Sequence, residues 1–215
     1  MQRYKQEFIE FAIECEVLRF GEFILKSGRS SPYFFNSGLF NSGATLARLG
    51  RYYAKAIHDE ALQFDMLYGA AYKGIPLVVA TAMGYFELTG RDLAWCFNRK
   101  EAKDHGEQGV LVGAPLKGRI LMIDDVISAG TSVRESIDII RTAGATPAGI
   151  VVSLDRQERG QGDINAMQEI KAEFGIDVMS IVDLATLIEF LDGDKNRSKE
   201  LEAMRRYVHD FGAIS

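Results

Sequence analysis

Cysteine is scarce in this chain and positive charge is not in excess. Only Cys15 and Cys96 occur among 215 residues, far apart and without neighbouring His pairs, which argues against a disulfide framework or a structural zinc. Both thiols read as core residues of a protein held in a reducing compartment. A formal net charge of -5 leaves no basic face for nucleic acid or an anionic membrane, so neither is expected as a partner. The longest apolar run, around Ile75 to Phe86, is too short to span a bilayer. The first residues, Met1 to Glu7, are polar where a secretion leader would turn apolar, so a cytoplasmic location is expected. There is no internal repeat and no low-complexity segment. No Gly-x-x-x-x-Gly-Lys-[Ser/Thr] run occurs either, which removes a P-loop nucleotide triphosphatase from consideration.

What is present is 47% apolar content, enough for one sizeable core and a single domain over 1–215. Its centre is Ile120-Leu121-Met122-Ile123-Asp124-Asp125-Val126-Ile127-Ser128-Ala129-Gly130-Thr131-Ser132. Four apolar residues, two acids and a small, hydroxyl-rich turn before Val133-Arg134-Glu135 read as a buried parallel strand, a loop and a helix start. An α/β sheet binds its ligand at that carboxyl edge. Asp124 and Asp125 can accept hydrogen bonds from vicinal hydroxyls or face a divalent cation, and a ribose offers the hydroxyls. The turn from Ser128 to Ser132 can close backbone N–H groups and hydroxyls around an anion at the positive helix end. An Asp pair alone would also suit a solvated strand end; the pair with the Gly-Thr-Ser turn favours a sugar phosphate.

The flanking segments repeat the logic. Asp65 to Pro76 is a strand, a small-residue loop and a helix start, with Lys73 adding a cation to Gly69–Gly74; it is either an ordinary βα turn or a second anion cradle. Leu93 to Phe97 reads as the next strand. The polar stretch 98–109 reads as a mobile surface loop in which Arg99, Lys100, Lys103 and His105 are concentrated. That is either a solvated face or a lid over a polyanion. Ala148 to Asp155 is another buried strand with Arg156 at its end, an ion-pair partner or a fork for a carboxylate. Before all these, an amphipathic helix ends near Glu16, and Phe20 to Phe40 reads as short antiparallel strands forming a small hood. On their own, Lys26 there reads as a surface lysine, and Phe34 and Phe35 as core. Helices and strands alternate from Ile164 to Phe211 and look structural. His58 and His209 look solvated.

At 120–132 the chain resembles the type I phosphoribosyltransferases, whose signature is four apolar residues, two acids and a Ser/Thr-rich phosphate loop. With the hood, the cationic loop and Asp155-Arg156-Gln157-Glu158-Arg159-Gly160, it resembles the orotate-using bacterial members over essentially its whole length. The resemblance implies an α/β fold, a Rossmann-like parallel sheet flanked by helices. A small hood would be built mainly from about 17–40 with C-terminal elements, and a mobile catalytic loop would occupy about 98–109. It implies Mg²⁺-dependent transfer of phosphoribosyl from 5-phospho-α-D-ribose 1-diphosphate to orotate in pyrimidine biosynthesis, with Mg²⁺ held mainly through the diphosphate and no protein metal ligand. The ribose donor would be held by Lys26, Tyr72, Lys73, Asp124, Asp125, Val126, Ile127, Ser128, Ala129, Gly130, Thr131 and Ser132. Arg99, Lys100, Lys103 and His105 would reach it from the neighbouring subunit of a homodimer. Orotate would meet Lys26, Phe34, Phe35, Ser128 and Arg156, the Phe pair forming one wall. Lys103, His105, Asp124, Asp125 and Lys26 would carry catalysis. Position 128 is Ser where the family pattern often has Thr, which retains the hydroxyl. Two other readings are a purine-salvage transferase and a non-catalytic sensor of the ribose donor. The hood with Arg156 favours an acidic pyrimidine over a purine, and a sensor would have little use for a cationic lid.

Overall fold

The computed structural model describes residues 1–25, 28–103, 109–127, 130–159 and 164–213, without the side chains of 102, 103 and 109. Along these the chain forms α1 (Arg3–Glu14), β1 (Leu18–Ile24), β2 (Ser30–Phe35), α2 (Gly43–Asp59), β3 (Met66–Gly69) and α3 (Gly74–Thr89). It continues through β4 (Trp95–Lys103), β5 (Gly109–Gly113), β6 (Arg119–Ile123), α4 (Thr131–Thr142) and β7 (Thr146–Asp155). The last elements are α5 (Ala166–Phe174), β8 (Asp177–Asp183), α6 (Leu184–Asp192) and α7 (Ser198–Phe211). None of the helices among the described residues is long and apolar enough to cross a membrane.

Strand β6 is apolar on both sides because both faces of the sheet are covered. Leu121 and Ile123 pack into one core with helices α1, α2, α3, α6 and α7. Ile120 and Met122 pack into a second core against α4 and α5. Leu67 of β3 and Val151 of β7 join the first core, and Tyr68 and Val152 the second, as the two-residue period of a strand requires. The strand order is β5-β4-β3-β6-β7-β8. All neighbours are parallel except β4 and β5.

That order creates the site. From β3 the chain moves outward to β4 and β5, then returns to the other flank of β3 to lay down β6. The loops after β3 and β6 leave adjacent parallel strands in diverging directions, and the crevice between them is a topological switch point. Strands β1 and β2 form a separate antiparallel hairpin, with Leu18 opposite Phe35 and Ile24 opposite Ser30. This hairpin, the segment expected to form a hood, is tied to the C-terminal helix through an edge-to-face contact of Tyr33 with Tyr207, ring centroids 6.1 Å apart.

Two expectations need correction. The stretch 98–109 is not loop throughout. Strand β4 runs on to Lys103 and pairs there with Gly109 of β5, because an edge ribbon wetted on both faces tolerates charged side chains while its backbone is satisfied by the ladder. Cys96 is fully buried, but Cys15 is only half-buried, so one thiol, not both, is a core residue.

Helices α2 and α3 touch through backbone. A Cβ on Gly50 would lie 2.2 Å from the Ala80 carbonyl oxygen, and one on Gly84 would lie 2.7 Å from that of Gly50. Gly50→Ala therefore forces the helices apart and should cost about 1–3 kcal/mol, read as a lowered melting temperature. Gly43→Ala, where a Cβ meets nothing within 4 Å, should stay within about 0.5 kcal/mol of the parent.

Candidate active site

The β6–α4 loop opens on the acidic pair. The Asp124 N–H donates to the Val151 carbonyl at 3.1 Å, extending the β6–β7 ladder by one residue. Its own carbonyl accepts from the Tyr53 hydroxyl of α2 at 2.7 Å. The Asp125 carbonyl is held by Ser153 of β7, through N–H at 2.9 Å and Oγ at 2.6 Å. With both carbonyls pinned from neighbouring elements, the two carboxyl groups are aimed by the main chain.

Their environments differ. Asp124 Oδ1 accepts from the Asp125 N–H at 2.8 Å, and Oδ2 from Ser132 Oγ at 3.3 Å. Burial first, and then the charge of Asp125, push the Asp124 pKa up to about 6. Burial alone would also raise Asp125, but its Oδ2 accepts from Lys73 Nζ at 2.6 Å and Ser37 Oγ at 2.7 Å. Those donors hold its pKa below the usual carboxylate range. One acid is therefore readily ionised while its neighbour titrates nearer neutrality, the pattern of a like-charge pair split by its surroundings.

Lys73 arrives from the loop after β3. That loop is closed by glycines at both ends: a Cβ on Gly69 would lie 2.1 Å from the Gly74 carbonyl oxygen, so the strand end and helix start approach as only glycine allows. Between them the Ala71 N–H donates to Asn98 Oδ1 of β4 at 2.9 Å, the Ala71–Tyr72 peptide is cis, and Tyr72 is 71% exposed. The Lys73–Asp125 ion pair thus spans the switch point.

Beyond the acids, the loop side chains divide. Val126 packs on one core and Ile127 is buried in the other, leaving backbone groups to meet a ligand. Gly130 takes φ +71° as the N-cap of α4, and Thr131 and Ser132 are exposed on its first turn, where N–H groups lack helical partners. Ser128 and Ala129, like Lys26 and His105, lie outside the described residues, as does the side chain of Lys103. Arg99 and Lys100 sit on β4 beyond its last pair with β3, Phe97 opposite Gly69.

On the hood side, the two phenylalanines do not form a single ring wall. Phe34 stacks on Phe23 at 5.5 Å with Arg19 above both rings, whereas Phe35 packs toward the main core, since consecutive strand residues face opposite ways. Arg156 follows β7, partly buried, its guanidinium 4.4 Å from the Tyr33 ring centroid and hydrogen-bonded to Glu158. A cavity of about 590 Å³ lies between the hood hairpin and α7, with Ser31 and Tyr207 in its wall; the acidic pair is not part of it.

The structure therefore gathers Lys73, Asp124, Asp125 and Ser132 into one cluster. It adds members that sequence reasoning missed: Ser37, Tyr53, Asn98 and Ser153. Ser37 falls within the segment 20–40 read as short strands, and its partner Asp125 is 88 positions away, so no local pattern could have named it.

The comparisons agree with this geometry. A family model described as the phosphoribosyl transferase domain matches residues 39–181. The orotate phosphoribosyltransferase of Thioalkalivibrio sulfidiphilus is 59% identical, covering 99% of this chain and 100% of its own. That of Pseudomonas paraeruginosa is 58% identical over the same shares. The solved orotate phosphoribosyltransferase of Francisella tularensis superposes with a TM-score of 0.88 at 41% identity, covering 96% of this chain and 99% of its own. With its acidic pair, hydroxyl-rich turn and lysine-bearing loop all facing one switch point, this chain belongs to the phosphoribosyltransferase family, among the orotate phosphoribosyltransferases.

Proposed function

We propose that the chain transfers the 5-phosphoribosyl group of 5-phospho-α-D-ribose 1-diphosphate to orotate, releasing diphosphate and orotidine 5-phosphate, and that its residues divide the work as follows. The observation that carries this reading is the Lys73–Asp125 pair across the switch point, 2.6 Å long and beside Asp124. It puts hydroxyl acceptors and a cation for diphosphate in one crevice. Asp124 and Asp125 accept hydrogen bonds from the ribose 2- and 3-hydroxyls. The turn from Val126 to Ser132 takes the 5-phosphate on backbone N–H groups and the hydroxyls of Ser128, Thr131 and Ser132. Tyr72 and Lys73 face the diphosphate. Lys26, Ser128, Arg156 and the backbone groups of Phe34 and Phe35 hold the base, the carboxylate of orotate falling to Arg156.

As the glycosidic oxygen departs, positive charge develops on the ribose ring, and the two carboxylates stand where they can offset it. No protein nucleophile is required. Lys103 donates to the departing oxygen, with Arg99, Lys100 and His105 gathering the diphosphate. Six residues of β4, 98 to 103, overhang its last pair with β3. They carry Arg99, Lys100 and Lys103 up to roughly 20 Å along the strand, a reach that suits a neighbouring subunit. A homodimer is further supported by Met83 and Phe86, 68% and 56% exposed on α3, three positions apart and so on one face.

The donor set suits Mg²⁺ held largely by substrate. Mg²⁺ is commonly bound through one or two carboxylates together with substrate phosphates, and the diphosphate of the ribose donor supplies those phosphates. When bound, it neutralises charge on the leaving diphosphate. A reducing cytoplasm suits Cys15 and Cys96, both free thiols.

Incubation with Mg²⁺, the ribose donor and each base in turn tests the assignment. Loss of orotate absorbance is expected, and turnover of adenine or hypoxanthine alone would replace this reading with purine salvage. Asp124 has a raised pKa, so its carboxylate is lost as pH falls through about 6. The pH profile of kcat/KM for the ribose donor should drop on that side, and a flat profile down to pH ~5 would remove Asp124 from the chemistry. Lys103→Ala should lower kcat at least about 100-fold while KM for the donor moves only a few fold. Mixing Lys103→Ala chains with Asp124→Ala chains should then restore activity that neither homodimer shows.

A further inference from the structure

The segment 155–159 is laced to the C-terminal helix more tightly than a strand end needs. Glu158 bridges Gly212, the Arg159 N–H donates to the Phe211 carbonyl at 2.9 Å, and the Ala213 N–H to the Gln157 carbonyl at 2.7 Å. Gln157 takes φ +45° between Arg156 and Glu158. The backbone under Glu158 is thus held before any ligand arrives.

Its carboxylate is a hub for three elements. Arg156 donates to Glu158 Oε1 through Nε at 2.9 Å and Nη2 at 2.6 Å. The Tyr207 hydroxyl of α7 donates to the same oxygen at 2.7 Å. Arg29, next to β2, reaches Oε2 at 3.4 Å. Arg156 Nη2 also lies 3.4 Å from Ser31 Oγ, and its guanidinium carbon sits 4.4 Å from the Tyr33 ring centroid. Both members of the Arg156–Glu158 pair are mostly buried, at 17% and 16% exposure.

We infer that Glu158 is a positioning residue for the base: by docking the Nε and Nη2 side of Arg156 against a fixed carboxylate, it turns the Nη1 side of the fork toward an anionic acceptor. Among the described residues no hydrogen bond reaches Nη1, while the opposite edge is fully engaged. A guanidinium is planar, so fixing one edge on Glu158 and one face on Tyr33 fixes the direction of the remaining donors. The donors left on that edge suit the carboxylate of an acidic base. A purine carries no such carboxylate, so the arrangement contributes to base selection as well as affinity. This inference rests on the reading of Arg156 as the partner of orotate.

Steady-state kinetics of the whole enzyme, with each substrate varied in turn, tests it. Glu158→Ala should raise KM for orotate about tenfold, and Glu158→Gln, which keeps an acceptor but loses the charge, about threefold. KM for the ribose donor should move less than about twofold in both. The Ala variant leaves a mostly buried guanidinium without its counter-charge and is the less stable of the two, so the Gln variant alone suffices for the comparison between substrates. Tyr207→Phe removes a donor from the same carboxylate without touching Arg156 and should leave both constants near the parent values. Equal rises in the two KM values, or Tyr207→Phe matching Glu158→Ala, would make Glu158 an anchor of the fold and overturn the inference. Arg156→Ala separates the two levels. If it raises KM for orotate while the Glu158 variants do not, positioning falls and the base reading stands. If it leaves that constant unchanged, the base reading falls and takes the inference with it.

Discussion

The ion pair between Lys73 and Asp125 depends on almost everything else in the molecule being where it is. Lys73 belongs to the loop after the strand laid down before the chain reverses across the sheet, and Asp125 to the loop after the strand laid down following that reversal. The two meet because β3 and β6 are parallel neighbours whose last residues, Gly69 and Ile123, are in register. With Lys73 59% exposed and Asp125 14% exposed, the pair is half-solvated, and its contribution to stability is about 1 kcal/mol at most. Its consequence is electrostatic. It holds Asp125 ionised, and that retained charge, together with burial, keeps Asp124 hard to ionise.

The scaffold around this pair is built from backbone contacts more than from side-chain chemistry. Tyr53 and Ser153 grip the main-chain carbonyls of the two acids, and glycines let strand end and helix start close over the lysine loop. Main-chain anchoring aims the carboxyl groups, whose oxygens also accept hydrogen bonds from the Asp125 N–H, Ser132, Lys73 and Ser37. Ser37 reaches Asp125 from the turn that leaves the β1–β2 hairpin, so the acidic pair and the hairpin segment share a hydrogen bond.

The hood is coupled to the sheet a second time through Glu158, which gathers donors from the hood, the end of β7 and the last helix. These two couplings bracket the crevice. One lies at the acidic pair and the other at Arg156 and Glu158, so the hairpin segment is tied to both proposed ends of the site.

Much of this was legible in residue order. The run from Ile120 to Ile123 announced a doubly covered parallel strand because burial on both faces demands apolar residues at every position. Asp124, Asp125 and the glycine-hydroxyl turn pointed to the candidate site because strand ends followed by helix starts are where such sheets bind anions. The hood and the alternating units were also visible in their periodicity. The polar stretch after Phe97 was misread because polarity reports on solvent, not on hydrogen-bond pairing, and an edge strand can be wet on both faces. Ser37, Tyr53 and Ser153 gave no signal, and Glu158 stood only inside the run 155–160, since each acts on a partner contributed by a different element. Local composition determined the elements and the chemistry at their ends. Only tertiary packing decided which ends meet, because the strand order that brings Lys73 to Asp125 is set by crossovers between segments 52 positions apart, a distance over which no local pattern is correlated.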